Sequence, residues 1–360
     1  KCSATSLLIL EKEIYEDVRF KKLLKDAAKS KGYGSPWDLQ TEIGPMSVRI
    51  NKKLQYVLDH TLEEQWLLKP IKLGDFLLSP GIKWGVTSKD YEYRNELFGP
   101  ILSVIKVGDL KEAVALVNGL EYGLTSGIES LDSEEVTYWL ENIKAGNLYV
   151  NRSTTGAVVE RQPFGGIKAS CFGFGMKAGG LNYILQFLDL AEPILTKKEI
   201  KKNYMEVYQT HFSKKIDYAK LRGQNNYNLY KKPKKIYVLL DKNVTESAVF
   251  KVKLISCILE VTIGFYALEN IPLVRETHIL TKWQELAPLI DHDIVLRALN
   301  YDTLDDDFIS YCHTKNIHIF GKKPSNYGRL EFLNYLTEQN QSINYHRYGN
   351  LMGIPFTHYQ

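Results

Sequence analysis

The chain predicts an α/β fold with largely parallel sheets, arranged in two successive domains. Short apolar runs of strand length alternate with segments whose apolar residues recur at helical spacing, the pattern of β-then-α units. The alternation stops near residue 193 and restarts at Ile236. The length of 360 residues agrees, since domains hold roughly 100–200 residues each.

Residues 6–10 form an apolar run expected of a buried strand, and residues 14–31 read as an amphipathic helix closed by Gly32. Residues 98–107 predict a second strand, with Pro100 near its start. Residues 110–119 follow as a periodic helix ended by glycine. A run at 124–130, a helix at 133–143 and a strand at 147–150 continue the series and imply a mostly parallel sheet. The first domain is expected over residues 1–192, ending at Glu192-Pro193. Lysine, tyrosine and asparagine then dominate, and residues 193–235 read as a lysine-rich helical linker. Residues 236–240, 261–265, 294–298 and 317–320 predict strands, and residues 246–259, 283–290 and 303–315 predict helices. A second, Rossmann-like domain over residues 236–360 is therefore expected. None of its strands leads into a GxGxxG turn, so it should hold no dinucleotide.

The 46 basic and 42 acidic residues are interspersed, and the net charge of +4 builds no field of one sign for nucleic acid or anionic lipid. The longest apolar stretch, residues 254–268, is broken by Glu260 and falls short of the ~18 residues of a membrane-spanning helix. Cys2, Cys171, Cys257 and Cys312 show no CxxC spacing, which argues against a zinc site or a disulfide framework and for a reduced, cytoplasmic setting. No metal is expected.

The chemistry centres on Cys2. A thiol attacks carbonyl carbon well only as thiolate. Downstream come Glu96-Leu97-Phe98-Gly99-Pro100, Gly146-Asn147-Leu148-Tyr149-Val150-Asn151-Arg152 and Gln162-Pro163-Phe164-Gly165-Gly166. In this order the strings resemble the catalytic half of the aldehyde dehydrogenase superfamily. Thr155-Gly156-Ala157 and Lys177-Ala178-Gly179-Gly180-Leu181-Asn182-Tyr183-Ile184-Leu185-Gln186-Phe187 narrow the resemblance to Δ1-pyrroline-5-carboxylate (L-glutamate γ-semialdehyde) dehydrogenases. The resemblance implies Cys2 as nucleophile, NAD as hydride acceptor, Glu96 on the nicotinamide ribose and Phe98 beside the nicotinamide. It assigns the α-carboxylate of L-glutamate γ-semialdehyde to Ser3 and to backbone amides around Gly179 and Gly180, and the aliphatic stem to Phe187. One departure stands in Ser170-Cys171-Phe172-Gly173, where Cys171 replaces the family's usual glycine.

Residues 330–339, followed by Ser342-Ile343-Asn344-Tyr345-His346-Arg347-Tyr348-Gly349-Asn350-Leu351, resemble the C-terminal tail of long proline utilization A proteins. Those are bifunctional, with an FAD-dependent proline dehydrogenase upstream; the resemblance therefore places FAD outside this chain. It also implies a homo-oligomer, and a C-terminal domain that covers a tunnel between active sites. The family's cofactor-binding half, hydrolytic glutamate and oxyanion asparagine precede the nucleophile. With Cys2 one residue from its start, the chain reads as a fragment that is inactive alone and pairs with its missing N-terminal half. Two other readings fit the same sequence: a non-catalytic assembly or lid module, and a dehydrogenase for a different aldehyde, the latter drawn from Cys171.

Overall fold

The computed structural model describes residues 2–171, 176–347 and 350–351, with the backbone alone for Arg347, Asn350 and Leu351. Phe172 and Gly173 of the string around Cys171, and Tyr348 and Gly349 of the tail, lie outside the described residues. The chain forms two compact units, residues 1–121 with 130–144, and residues 122–129 with 145–360. This division differs from the boundaries expected at 192 and 235.

The first unit contains β1 (Leu7–Glu11), α1 (Val18–Lys29), α2 (Lys52–His60), β2 (Trp66–Leu68), β3 (Gly81–Val86), β4 (Ile101–Val107), α3 (Leu110–Asn118) and α4 (Ser133–Asn142). Its sheet has the order β1-β4-β3-β2. The β1/β4 and β4/β3 pairs are parallel and β2 is antiparallel to β3. The helix expected over 14–31 is broken at Asp17: a short helix, Lys12–Glu16, ends there, and the extended Asp17 then caps the backbone amides of Arg19 and Phe20 with its carboxylate and begins α1 at Val18. The strand expected from Phe98 starts at Ile101, since Phe98 has φ +52°, outside extended backbone. Val104 and Ile82 are buried between the sheet and α1, whose Phe20, Leu24 and Ala28 form the facing stripe.

The second unit contains β5 (Thr125–Ile128), β6 (Asn147–Val150), α5 (Lys197–Val207), β7 (Ile216–Asp217), β8 (Gln224–Lys231), β9 (Lys235–Leu240), α6 (Glu246–Leu259), β10 (Thr262–Ala267), β11 (Thr277–Ile279), β12 (Ile294–Ala298), α7 (Asp306–Thr314), β13 (Ile319–Phe320) and β14 (Thr337–Asn344). One sheet has the order β11-β10-β9-β12-β13 with every pair parallel, the doubly wound arrangement expected of the second domain. The period-two pattern of β9 divides its side chains. Ile236, Val238 and Leu240 enter the core beneath α6, while Tyr237 and Leu239 enter the opposite core with Trp283 and Phe308. The helix expected over 283–290 is a 3₁₀ turn, Trp283–Leu289, in keeping with Pro288 and its missing amide donor.

The other sheet has the order β5-β6-β14-β8-β7. It corrects the helical reading of residues 193–235: α5 is a helix, capped by Thr196, but Gln224–Lys231 is an eight-residue strand paired along its whole length with Thr337–Asn344. β14 runs antiparallel to β8 and parallel to β6. Cross-strand register places Asn147, Tyr149, Asn340, Ser342, Asn226 and Asn228 on one face, which is polar and largely buried.

Candidate active site

Cys2 is exposed and the adjacent Ser3 is buried. The path from here into β1 is held by the Ser103 amide, which donates to the Ser6 carbonyl at 3.0 Å. Because β1 and β4 run parallel with Leu7 opposite Ser103, the segments that precede them emerge at the same edge of the sheet. Cys2 lies five residues before one member of this pair and Phe98 five residues before the other. The sheet thus brings the thiol segment and the Glu96-Leu97-Phe98-Gly99-Pro100 loop to one edge.

The loop is held from the inside. Leu97 is buried with Leu54, Val57, Leu78 and Ile101. The Asn51 amide donates to the Leu97 carbonyl at 2.9 Å while its side-chain oxygen caps α2 at Leu54. Gly99 lies against Leu54 so closely that an added Cβ would meet Leu54 Cδ2 at 2.6 Å. With Leu97 anchored, Glu96 and Phe98 face outward, and Phe98 is 60% exposed. A carboxylate and an aromatic ring displayed two residues apart suit the ribose and flat ring of a nicotinamide nucleotide, so these residues fit that end of NAD. A second feature of this unit escaped the sequence reading: the Lys83 ammonium and Glu92 carboxylate pair at 2.5 Å, with side chains 7% and 2% exposed.

Gly179, Gly180 and Phe187 belong to the second unit. Phe164 and Ala178 exchange two backbone hydrogen bonds of 2.9 Å, fastening the Lys177-Ala178-Gly179-Gly180 segment to the Gln162–Gly166 string. Gly179 has φ +73°, which favours glycine, and the Gly180 amide closes the turn on the Lys177 carbonyl at 3.0 Å. Phe187 ends a 3₁₀ turn, Tyr183–Phe187, and is largely exposed, edge-on to Tyr183.

Beneath this loop lies the polar face of the β6-β14-β8 sheet. The Asn147 and Asn340 amides both donate to the Pro163 carbonyl at 2.9 Å, and the Gly165 amide donates to the Asn147 side-chain oxygen at 3.1 Å. Gln162 is best satisfied with its carbonyl oxygen facing the Arg152 guanidinium and the Ser342 hydroxyl. Lys177 is fully buried, its ammonium donating to the Gly165 carbonyl. Burial lowers its pKa to about 8, against the opposing pull of Glu338 and Cys171. Burial pushes the Glu338 carboxyl up, opposed by a hydrogen bond from Asn228, the Lys177 charge and the Lys177 backbone amide. Burial also raises the Cys171 thiol, with Lys177 acting the other way. Lys177 and Glu338 had no sequence signal as a pair, because 161 positions separate them. Among the described residues, no cluster of three or more His, Cys, Asp or Glu is placed to hold a metal ion, and no helix is long and apolar enough to cross a membrane.

Comparison with known proteins accounts for these strings. A 1-pyrroline-5-carboxylate dehydrogenase of Staphylococcus aureus is 35% identical over 198 residues, covering 52% of this chain and 37% of that protein. The proline utilization A structure from Corynebacterium freiburgense is 29% identical and superposes with a TM-score of 0.79 over 97% of this chain and 36% of that one. A 1-pyrroline-5-carboxylate dehydrogenase from Thermus with bound NAD is 34% identical over 52% of this chain and 36% of its own, with a TM-score of 0.46. The chain thus spans little more than a third of the length of these relatives. Residues 1–191 match the Aldehyde dehydrogenase family, and the chain belongs to that family.

Proposed function

We propose that the protein takes part in the NAD-dependent oxidation of L-glutamate γ-semialdehyde to L-glutamate, with Cys2 as nucleophile. The observation that carries this reading is the convergence of the Cys2 segment and the Glu96-Phe98 loop on one edge of the β1/β4 sheet. The identity to 1-pyrroline-5-carboxylate dehydrogenases supports it. The Cys2 thiolate adds to the aldehyde carbon, forming a carbon–sulfur bond and a hemithioacetal. Glu96 and Phe98 would hold the nicotinamide end of NAD, which would supply the acceptor for the hydride lost from that carbon. Water then cleaves the resulting thioester, releasing the acid and restoring the thiol. Glu96 holds the ribose and Phe98 packs beside the ring. Ser3 and the amides around Gly179 and Gly180 take the α-carboxylate, since a glycine pair lets backbone donors approach an anion without an obstructing Cβ. Phe187 covers the aliphatic stem. A cytoplasmic setting, a homo-oligomer and cooperation with an FAD-dependent proline dehydrogenase belong to the same reading.

NADH formation from Δ1-pyrroline-5-carboxylate and NAD⁺ by the purified protein, beside Cys2→Ala, tests the assignment. Turnover that survives the substitution would remove Cys2 from the mechanism. Cys171 next to the glycine loop supports a second reading, a dehydrogenase for another aldehyde. Equal kcat/KM for aldehydes with and without an α-carboxylate would favour it.

A further inference from the structure

The Gly179-Gly180 loop is fastened on its outer side by hydrogen bonds of its own neighbourhood: Phe164 with Ala178, and the Glu160 amide to the Gly179 carbonyl at 3.0 Å. On its inner side it meets a strand that lies more than 150 residues later in the chain. Glu338, on β14, is 6% exposed. Its Oε1 accepts from the Asn228 amide of β8 at 2.8 Å and would stand 3.2 Å from a Cβ added to Gly180. The same carboxylate takes the Lys177 backbone amide and faces the Lys177 charge. Lys177 immediately precedes Ala178-Gly179-Gly180, so backbone and ammonium of the loop's first residue both engage Glu338, and the glycine backbone rests on it.

We propose that Glu338 is a positioning residue for the Gly179-Gly180 loop and, through it, for the α-carboxylate of an amino-acid aldehyde. The role in substrate binding rests on the reading under Proposed function. A glycine pair cannot hold its own geometry, because glycine populates more backbone conformations than any other residue. A buried, hydrogen-bonded carboxylate on a strand paired on both sides supplies a rigid reference. It also balances the buried Lys177 ammonium, which donates to the Gly165 carbonyl. Discrimination for the α-carboxylate is then set partly by β14, a strand of the C-terminal sheet, without any contact between Glu338 and substrate.

The test compares the wild-type chain with Glu338→Gln in two measurements: hydrogen exchange of the amides in residues 177–182, and calorimetric affinity for L-glutamate and for 4-aminobutyrate, which lacks the α-carboxylate. Loss of one charged hydrogen-bond partner should speed loop exchange ~10-fold or more and weaken L-glutamate by about the same factor. Exchange in β9 and the affinity for 4-aminobutyrate should stay unchanged, which a merely structural role would not produce. Unchanged loop exchange and unchanged L-glutamate affinity would overturn the proposal. Faster loop exchange in Glu338→Gln, together with a wild type that does not prefer L-glutamate over 4-aminobutyrate, would overturn the carboxylate part and the function it rests on, while leaving the loop contact intact. Should Glu338→Gln fail to fold, the double variant Lys177→Met with Glu338→Gln buries no ion. Its loop must still exchange faster than wild type, and full protection there would sink the idea.

Discussion

Replacing Arg297 with methionine should destabilise the doubly wound sheet by about 3–5 kcal/mol. Arg297 sits on β12 with no exposure at all, yet every face of its guanidinium is used. Nη1 donates to the Phe320 carbonyl of β13 at 2.7 Å, Nε to the Tyr335 hydroxyl at 3.3 Å, and Nη2 pairs with Glu331 Oε1 at 3.4 Å. Glu331 in turn accepts from the Tyr335 hydroxyl at 2.8 Å and the Ser325 amide at 2.9 Å. Methionine keeps the volume of the stem but leaves the fully buried Glu331 carboxylate without its countercharge. The cost of an uncompensated buried charge exceeds the ~1 kcal/mol of a lost neutral hydrogen bond. For a urea slope of ~2–3 kcal/mol per molar, the unfolding midpoint should fall by roughly 1–2.5 M. Far-UV circular dichroism in urea, with hydrogen exchange read on β9, measures it. The double variant Arg297→Met with Glu331→Leu removes both ions and should regain most of the loss. A single variant within 1 kcal/mol of wild type, or a double variant no better than the single, would refute the view that the ion pair is held by charge balance.

Lys83→Met should cost the first unit about 3–5 kcal/mol by stranding Glu92 at 2% exposure, whereas alanine at the exposed Lys22 of the Lys22–Asp26 pair should leave the urea midpoint unchanged. Gly99→Ala places a methyl 2.6 Å from Leu54 Cδ2, so ~1–3 kcal/mol of overpacking is expected, with altered fluorescence quenching of a nicotinamide nucleotide if Glu96 and Phe98 shift; unaltered stability would show that Leu54 yields freely. The Lys177 pKa of about 8 lies below its unfolded value of 10.5. Between those values the unfolded chain binds more protons, so stability should rise with pH across that window by about 3 kcal/mol. Urea midpoints at pH 8 and pH 10 for wild type and Lys177→Met check this, because the rise attributed to Lys177 must vanish in the variant.

The parts of the fold that the sequence made legible are those whose burial is apolar. Ile236, Val238 and Leu240 alternate with Tyr237 and Leu239, so the alternation alone reveals both the strand and its two covered faces. The Glu96-to-Pro100 loop was also legible, because Leu97 is the apolar anchor between two outward residues. β8 and β14 were not. Gln224–Lys231 and Thr337–Asn344 contain few apolar residues, yet six of the eight positions in β14 are buried. Hydrophobic periodicity reveals burial only when it is apolar, and here the buried groups are amides, hydroxyls and one carboxylate.

Most of that polarity is matched by hydrogen bonds within the face, with Asn226 Nδ2 and the Tyr149 hydroxyl as exceptions among the described residues. The Ser342 hydroxyl bonds the Asn226 side chain at 2.9 Å and the Gln224 amide bonds Asn344 at 2.7 Å. Such a face cannot be covered by any apolar segment, since each unpaired amide would carry a desolvation cost of ~1–3 kcal/mol. It selects a cover able to return hydrogen bonds at matching positions, and Gln162-Pro163-Phe164-Gly165 does so through the Pro163 carbonyl, the Gly165 amide and the Gln162 side chain, while Lys177 ties the Gly165 carbonyl within the cover. An apolar face would have tolerated a sliding or rotated loop at small cost. A ladder of paired amides fixes its register, and with it the conformation of the two glycines.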